Sequence, residues 1–241
     1  VAATAIDSSA QLAELRELLR TKFPRQQILD RPEYGALASG LEGLDGQVFP
    51  GGLPRGAMTL LTGGPSCGKT SVAFTFCAEL TRRGGSVAWV HPGTLSAGSA
   101  QHAGIDLRRL LAVRAESLTQ ARRCTDFLLR NKAFDLVVVD WPGPGGRGAD
   151  WNRIHRLTTG SPQALLVLAP PLRGGDPLPY CASIHATVHR TGAGAEIELL
   201  KSRYQSIGAA VQVRRGGLPG APLLLHPDLP GLGQDWHDEV G

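Results

Sequence analysis

A glycine-rich turn followed by a lysine and a hydroxyl is a residue combination that handles phosphate. It occurs here as Gly63-Gly64-Pro65-Ser66-Cys67-Gly68-Lys69-Thr70, the spacing G-x-x-x-x-G-K-[ST], with Ser71 next in line. Glycines let the backbone curl so that successive N–H groups face phosphate oxygens. Lys69 brings a cation to the β- and γ-phosphates, and the Thr70 hydroxyl is a Mg²⁺ ligand. Asp140 closes the apolar run Leu136–Val139, where a carboxylate holds a Mg²⁺-bound water beneath the nucleotide. The expected site is therefore the loop 63–71 with Asp140, its expected ligands are ATP and Mg²⁺, and Thr70 and Asp140 are the metal-side residues.

Such a loop works only between a strand and a helix. The apolar segment 58–62 precedes it and a helical pattern over 69–83 follows. Further short apolar runs at 86–90, 136–140 and 164–169 read as strands of a parallel sheet covered on both faces, with a second helical pattern over 116–131. Strands alternating with helices predict a doubly wound α/β fold. Residues 182–189 and 196–202 alternate with period two, and Val211 and Val213 continue the pattern, so antiparallel strands are expected at one edge. An amphipathic helix is expected over 8–23, with Leu12, Leu15, Leu19 and Phe23 on one stripe and Pro24 as its stop. The resulting division is an N-terminal helical arm and linker (1–35), a nucleotide-binding core (36–213) and a Pro/Gly-rich tail (214–241).

Composition narrows the class. The chain has 241 residues, 42% apolar and 19% charged, an ordinary globular balance. No apolar run approaches the ~20 residues that span a bilayer, and no basic-then-apolar leader opens the chain. Cys67, Cys77, Cys124 and Cys181 are scattered without a C-x-x-C pair, which suits reduced thiols in a cytoplasmic protein. The net charge of +4 permits contact with nucleic acid or an acidic partner without demanding it.

The run Ala38-Ser39-Gly40-Leu41-Glu42-Gly43-Leu44-Asp45, then Gly51-Gly52-Leu53-Pro54-Arg55-Gly56 leading into the phosphate loop, resembles bacterial RecA. The resemblance extends through Asp135–Asp140 and Ala182–Arg190 to Leu199-Leu200-Lys201-Ser202-Arg203. It implies a RecA-like P-loop NTPase core, and it implies that Lys201 and Arg203 form the cation pair that reaches a neighbour's ATP across a filament interface. The large C-terminal domain of RecA is expected to be absent.

Departures from the pattern carry function. Where the family places a water-polarising glutamate after the strand that follows the phosphate-loop helix, this chain runs Val90-His91-Pro92-Gly93-Thr94, with no carboxylate until Asp106. In-line attack on the γ-phosphate then loses a positioning group, and His91 reads as structural. No aromatic stands at Ala97–Ala100 to stack on adenine, and Pro170-Pro171 replaces the γ-phosphate-sensing glutamine. The two DNA-facing loops, Trp141–Trp151 and Pro170–Tyr180, carry one arginine each, Arg147 and Arg173, so DNA contact is expected to be weak or indirect. Trp141 and Trp151 read as packing residues rather than base-stacking ones. His185 and His189 lie on one strand face about 13 Å apart, too far to share a metal. The pairs Arg82/Arg83, Arg108/Arg109 and Arg122/Arg123 read as solvated faces.

A RecA core altered in this way is similar to the ImuA-type accessory proteins of bacterial mutagenic translesion synthesis. That resemblance implies RecA and an error-prone Y-family-like polymerase of the ImuB type as partners. It also implies a role in the DNA-damage (SOS) response by modulating RecA filaments, with little or no hydrolysis. The alternative is an active DNA-stimulated ATPase, a divergent recombinase or loader.

Overall fold

The computed structural model describes residues 34–140, 148–192 and 194–214, all within the unit that runs from Pro32 onward. The expected arm helix over 8–23, Trp141, Arg147 and the tail from 215 lie outside the described residues.

The core is built on β3 (Met58–Gly63), β4 (Val87–His91), β6 (Leu136–Asp140) and β7 (Ala164–Ala169), the four expected strands. Their near-continuous burial follows from layers on both faces. The sheet has eight strands in the order β10-β9-β8-β3-β7-β6-β4-β5. It adds β5 (Leu110–Arg114), β8 (Ile184–Thr191), β9 (Gly194–Ser202) and β10 (Ala210–Arg214). From β5 to β8 every pairing is parallel, and β9 and β10 extend the sheet antiparallel. A separate two-stranded ribbon joins β1 (Ala36–Leu37) to β2 (Leu53–Pro54). The fold is the expected α/β class, with β5 added at one edge.

One face carries α1 (Lys69–Arg82) and α2 (Ala97–His102); the other carries α3 (Leu118–Asn131), α4 (Gly148–Thr158) and the single turn α5 (Leu178–Cys181). Period-two alternation divides each strand between the two cores. Val87, Trp89, Leu136, Val138 and Leu168 pack beneath α1, while Ala88, Val90, Val137 and Val139 pack against α3 and α4. Phe74 of α1 meets Trp89 edge-on, with ring centroids 5.1 Å apart. α1 is buried along most of its length, so its sequence lacks a clean polar stripe. α3 is amphipathic, starts where Ser117 accepts from the Gln120 N–H, and ends at Lys132 in the left-handed conformation (φ 51°).

The expected DNA-facing loop 141–151 is shorter than the sequence reading gave it, because residues from 148 onward form α4. Trp151 sits on that helix and is 1% exposed, so it packs the core against α3 and α4's own side of the sheet. At the far end of the second loop, residues 178–181 turn into α5. Arg122 also departs from expectation: its guanidinium pairs with Asp150, joining α3 to α4. Arg82 and Arg83 pair with Glu79, and Arg108 with Asp106. Among the described residues no helix is long and apolar enough to cross a membrane.

Candidate nucleotide-binding site

The carboxyl ends of the parallel strands form the edge where open α/β sheets bind ligands. β3 delivers the chain there at Gly63, and the loop to Gly68 leads directly into α1. Gly63 lies against β8: a Cβ on it would stand 2.5 Å from the Val188 carbonyl oxygen and 2.6 Å from Cys67 Sγ, so only hydrogen fits. Ser66 (φ 54°) and Gly68 (φ 106°) adopt left-handed conformations, which aim neighbouring N–H groups inward. Gly68 caps α1 with no side-chain acceptor on the first-turn N–H groups. Those donors, at the positive end of the helix dipole, are what a phosphate satisfies.

Lys69 folds back over the loop. Its Nζ donates to the Gly63 carbonyl at 2.6 Å and the Gly64 carbonyl at 2.8 Å, with Cys67 Sγ at 3.6 Å. The ammonium is thus held above the turn by the loop's own carbonyls. Thr70 and Ser71 follow on the first turn of α1.

Asp140 ends β6 on the same face as α1, because Leu136 and Val138, four and two positions before it, pack in that core. Burial raises its pKa, and Lys69 and His91 act in the opposite direction. A half-buried carboxylate beside a lysine ammonium, an uncapped helix N-terminus and a threonine hydroxyl is the donor set that a nucleotide phosphate with Mg²⁺ requires. Lys69 of the loop acts electrostatically on Asp140, and Thr70 follows Lys69 on the first turn of α1.

His91 stands beside Asp140. β4 pairs with β6 in parallel through Val90↔Val139, which makes His91 and Asp140 the next two residues in register. His91 is 8% exposed, and its buried Nδ1 has no hydrogen-bond partner. The first carboxylate after β4 is at the wrong end of the sheet. Asp106 caps the short 3₁₀ turn Leu107–Arg109 that leads into the start of β5, where it accepts from Arg108. On the far side of β6, β7 leaves the site through Pro170, and α2 presents small residues behind its Ser96 cap.

Lys201 and Arg203 lie at the opposite pole. Lys201 pairs with His185 near the start of β8, itself level with the start of β3, and the Arg203 N–H donates to the Ser183 carbonyl. The Lys201 ammonium donates to the Pro179 and Tyr180 carbonyls at 2.7 and 3.3 Å, tying β9 to α5. Arg203 stands just beyond β9 and is exposed. His185 is not a metal ligand: its Nε2 lies 2.9 Å from Thr62 Oγ1. Arg173 is on the loop between β7 and α5.

Residues 26–142 match the RecA N-terminal domain family, a segment that runs through β6 and includes the whole phosphate loop. Over that segment the chain is similar to RecA. It is 33% identical over 144 residues to RecA of Gluconacetobacter polyoxogenes, covering 57% of this chain and 41% of that protein. With RecA of Caulobacter sp. strain K31 it shares 27% identity over 216 residues, 76% of this chain and 59% of that one. The chain therefore spans roughly half the length of these curated relatives. The crystal structure of the RadB recombinase superposes with a TM-score of 0.63 at 19% identity, over 76% of this chain and 97% of that one, and supports the fold.

Within this RecA-like frame the sequence reading overlooked β5, a five-residue run enclosed by Arg108, Arg109 and Arg114. His91, read as structural, is buried at the end of β4. What the sequence lacked was the register that puts it beside Asp140.

Proposed function

We propose that this chain is a RecA-like ATP-binding accessory protein of the bacterial DNA-damage response, in the manner of translesion-synthesis factors. It acts by binding RecA, an error-prone Y-family-like polymerase, or both, and hydrolyses ATP slowly. One observation carries the reading. Lys69, folded over the phosphate loop, acts on Asp140 in an arrangement that suits a nucleotide, yet the strand end beside them offers His91-Pro92-Gly93 where a water-orienting carboxylate would stand. When bound, Mg²⁺ would neutralise charge on the phosphates, held from the Thr70 and Asp140 side. The loop residues and Lys69 would bind and orient the phosphates.

The two poles support action on a filament. The nucleotide site lies at the carboxyl end of β3 and Lys201/Arg203 at its amino end, an arrangement that suits head-to-tail association. Because Lys201 is engaged by α5, Arg203 is the cation better presented to a neighbour at that pole. A unit with one competent face caps or interrupts a filament instead of extending it.

The test is RecA-catalysed strand exchange with increasing amounts of this protein, alongside its own ATPase rate with and without single-stranded DNA. The reading expects substoichiometric inhibition, weakened in Arg203→Ala, and turnover near background. Indifference of RecA would redirect the search to the polymerase. Robust DNA-stimulated turnover lost in Asp140→Ala would instead establish the alternative, an active ATPase.

A further inference from the structure

His91 is a buried histidine without the partner that buried histidines usually have. Most buried side-chain nitrogens are hydrogen-bonded, and leaving one unpaired costs roughly 1–3 kcal/mol. Its Nδ1 is sealed and unpartnered, although the residue sits at a strand end, where loop carbonyls are normally at hand. A purely packing role would be filled as well by leucine or phenylalanine at no such cost. The cost is instead offset if a ligand supplies the acceptor.

Position identifies the ligand. His91 and Asp140 are adjacent in register at the carboxyl ends of β4 and β6, and both side chains project toward the face that carries α1. Strands lie about 4.8 Å apart, so the imidazole flanks the Asp140 carboxylate on the side away from β7. Lys69 and His91 both act electrostatically on Asp140 at these strand ends, with the lysine fixed over the loop at Gly63 and Gly64. Rotation of an imidazole about χ2 is soft, so the ring can present a nitrogen to a group bound beside Asp140. A neutral imidazole N–H is a donor, and a terminal phosphate offers three strong acceptor oxygens.

We propose that His91 donates a hydrogen bond to the terminal phosphate of a bound nucleoside triphosphate, making it the residue by which this site distinguishes ATP from ADP. The proposal rests on the reading that the phosphate loop binds nucleotide. It assigns His91 a binding role and no proton transfer. The group that would ordinarily orient water is replaced by one that grips the γ-phosphate, which suits a site that holds ATP and reports its presence.

The experiment measures ATPγS and ADP affinities by isothermal titration, in Mg²⁺ and in EDTA, for the wild type, His91→Phe and His91→Asn. Phenylalanine keeps the ring and removes both nitrogens; asparagine returns a hydrogen-bonding group near the Nδ1 position. A hydrogen bond to a charged acceptor is worth about ten-fold in affinity. His91→Phe is therefore expected to weaken ATPγS about ten-fold while changing ADP less than two-fold, with His91→Asn recovering part of the loss. The same selective effect in EDTA separates His91 from any influence on the metal. Equal loss of both nucleotides, or loss of neither, overturns the proposal, as does a Phe variant that does not fold together with an Asn variant that binds both nucleotides like the wild type with no ATP preference. A wild type that binds neither nucleotide overturns the underlying site assignment instead, and the two failures are thereby told apart.

Discussion

Replacing Lys69 by methionine keeps the side-chain stem and removes only the ammonium. In the described structure that ammonium donates to two loop carbonyls at 2.6 and 2.8 Å, in a partly buried setting. Hydrogen bonds made by charged groups contribute about 1.5–3 kcal/mol when buried, so about 1–2 kcal/mol is expected at this half-exposed position. For a chain of this size 1 kcal/mol moves the melting temperature by roughly 2–4 °C, giving a fall of about 2–8 °C without nucleotide. Nucleotide acts the other way. At one hundred times its dissociation constant a ligand stabilises by about 2.7 kcal/mol, an upward shift of about 5–11 °C. If the lysine–phosphate contact is worth about 2–3 kcal/mol, its loss raises the dissociation constant roughly a hundred-fold. The same ATPγS concentration then stabilises by only about 0.4 kcal/mol, a shift near 1 °C. Differential scanning fluorimetry with and without Mg²⁺·ATPγS, backed by urea melts, reads both effects in one protein. A Lys69→Met variant that melts like the wild type and keeps the full nucleotide shift would refute the reasoning, because neither the loop contacts nor the phosphate contact would then matter.

Three further outcomes are expected. Gly63→Ala forces a Cβ to within 2.5 Å of the Val188 carbonyl oxygen, so equilibrium unfolding should show a loss of about 1–3 kcal/mol and nucleotide binding should fall with it; a neutral result would mean β8 yields more easily than packed backbone should. Burial, reinforced by Lys201, lowers the His185 pKa from 6.5 to about 4, so the unfolded chain takes up a proton that the folded chain refuses between those values. Stability contributed by neutral His185 is therefore present above pH 6.5 and lost as pH falls toward 4, by about 1–2 kcal/mol after discounting for the ring's partial exposure; urea melts across that range should be flatter in His185→Gln. Trp151→Ala should cost about 3–5 kcal/mol by chemical denaturation, since the ring fills the core beneath α3 and α4, whereas a base-stacking tryptophan would be lost with little effect on stability.

The sequence by itself determined the class of fold and the phosphate end of the site. Buried parallel strands must be apolar on both faces, and a phosphate loop must have glycines where the backbone turns back on itself, so segments 58–62 and 136–140 and the run Gly63–Thr70 were legible residue by residue. Lys69 is read from the loop's own spacing, and Asp140 from its place at the end of the apolar run 136–139. The edge strand β5 was hidden because an edge covered on one side needs only a brief apolar run, and this one is framed by arginines. Trp151 was ambiguous for the same kind of reason, since a tryptophan in a Gly/Pro-rich stretch looks identical whether it faces solvent or a helix begins beneath it. Only tertiary structure decided where His91, Lys201 and Asp106 stand. Register between β4 and β6 sets His91 against Asp140, the short α5 turn captures the Lys201 ammonium, and the direction of β5 puts Asp106 at the pole away from the phosphate loop. Each of these depends on contacts between segments far apart in the chain, and residue types and spacing along the chain carry no record of which distant segments meet.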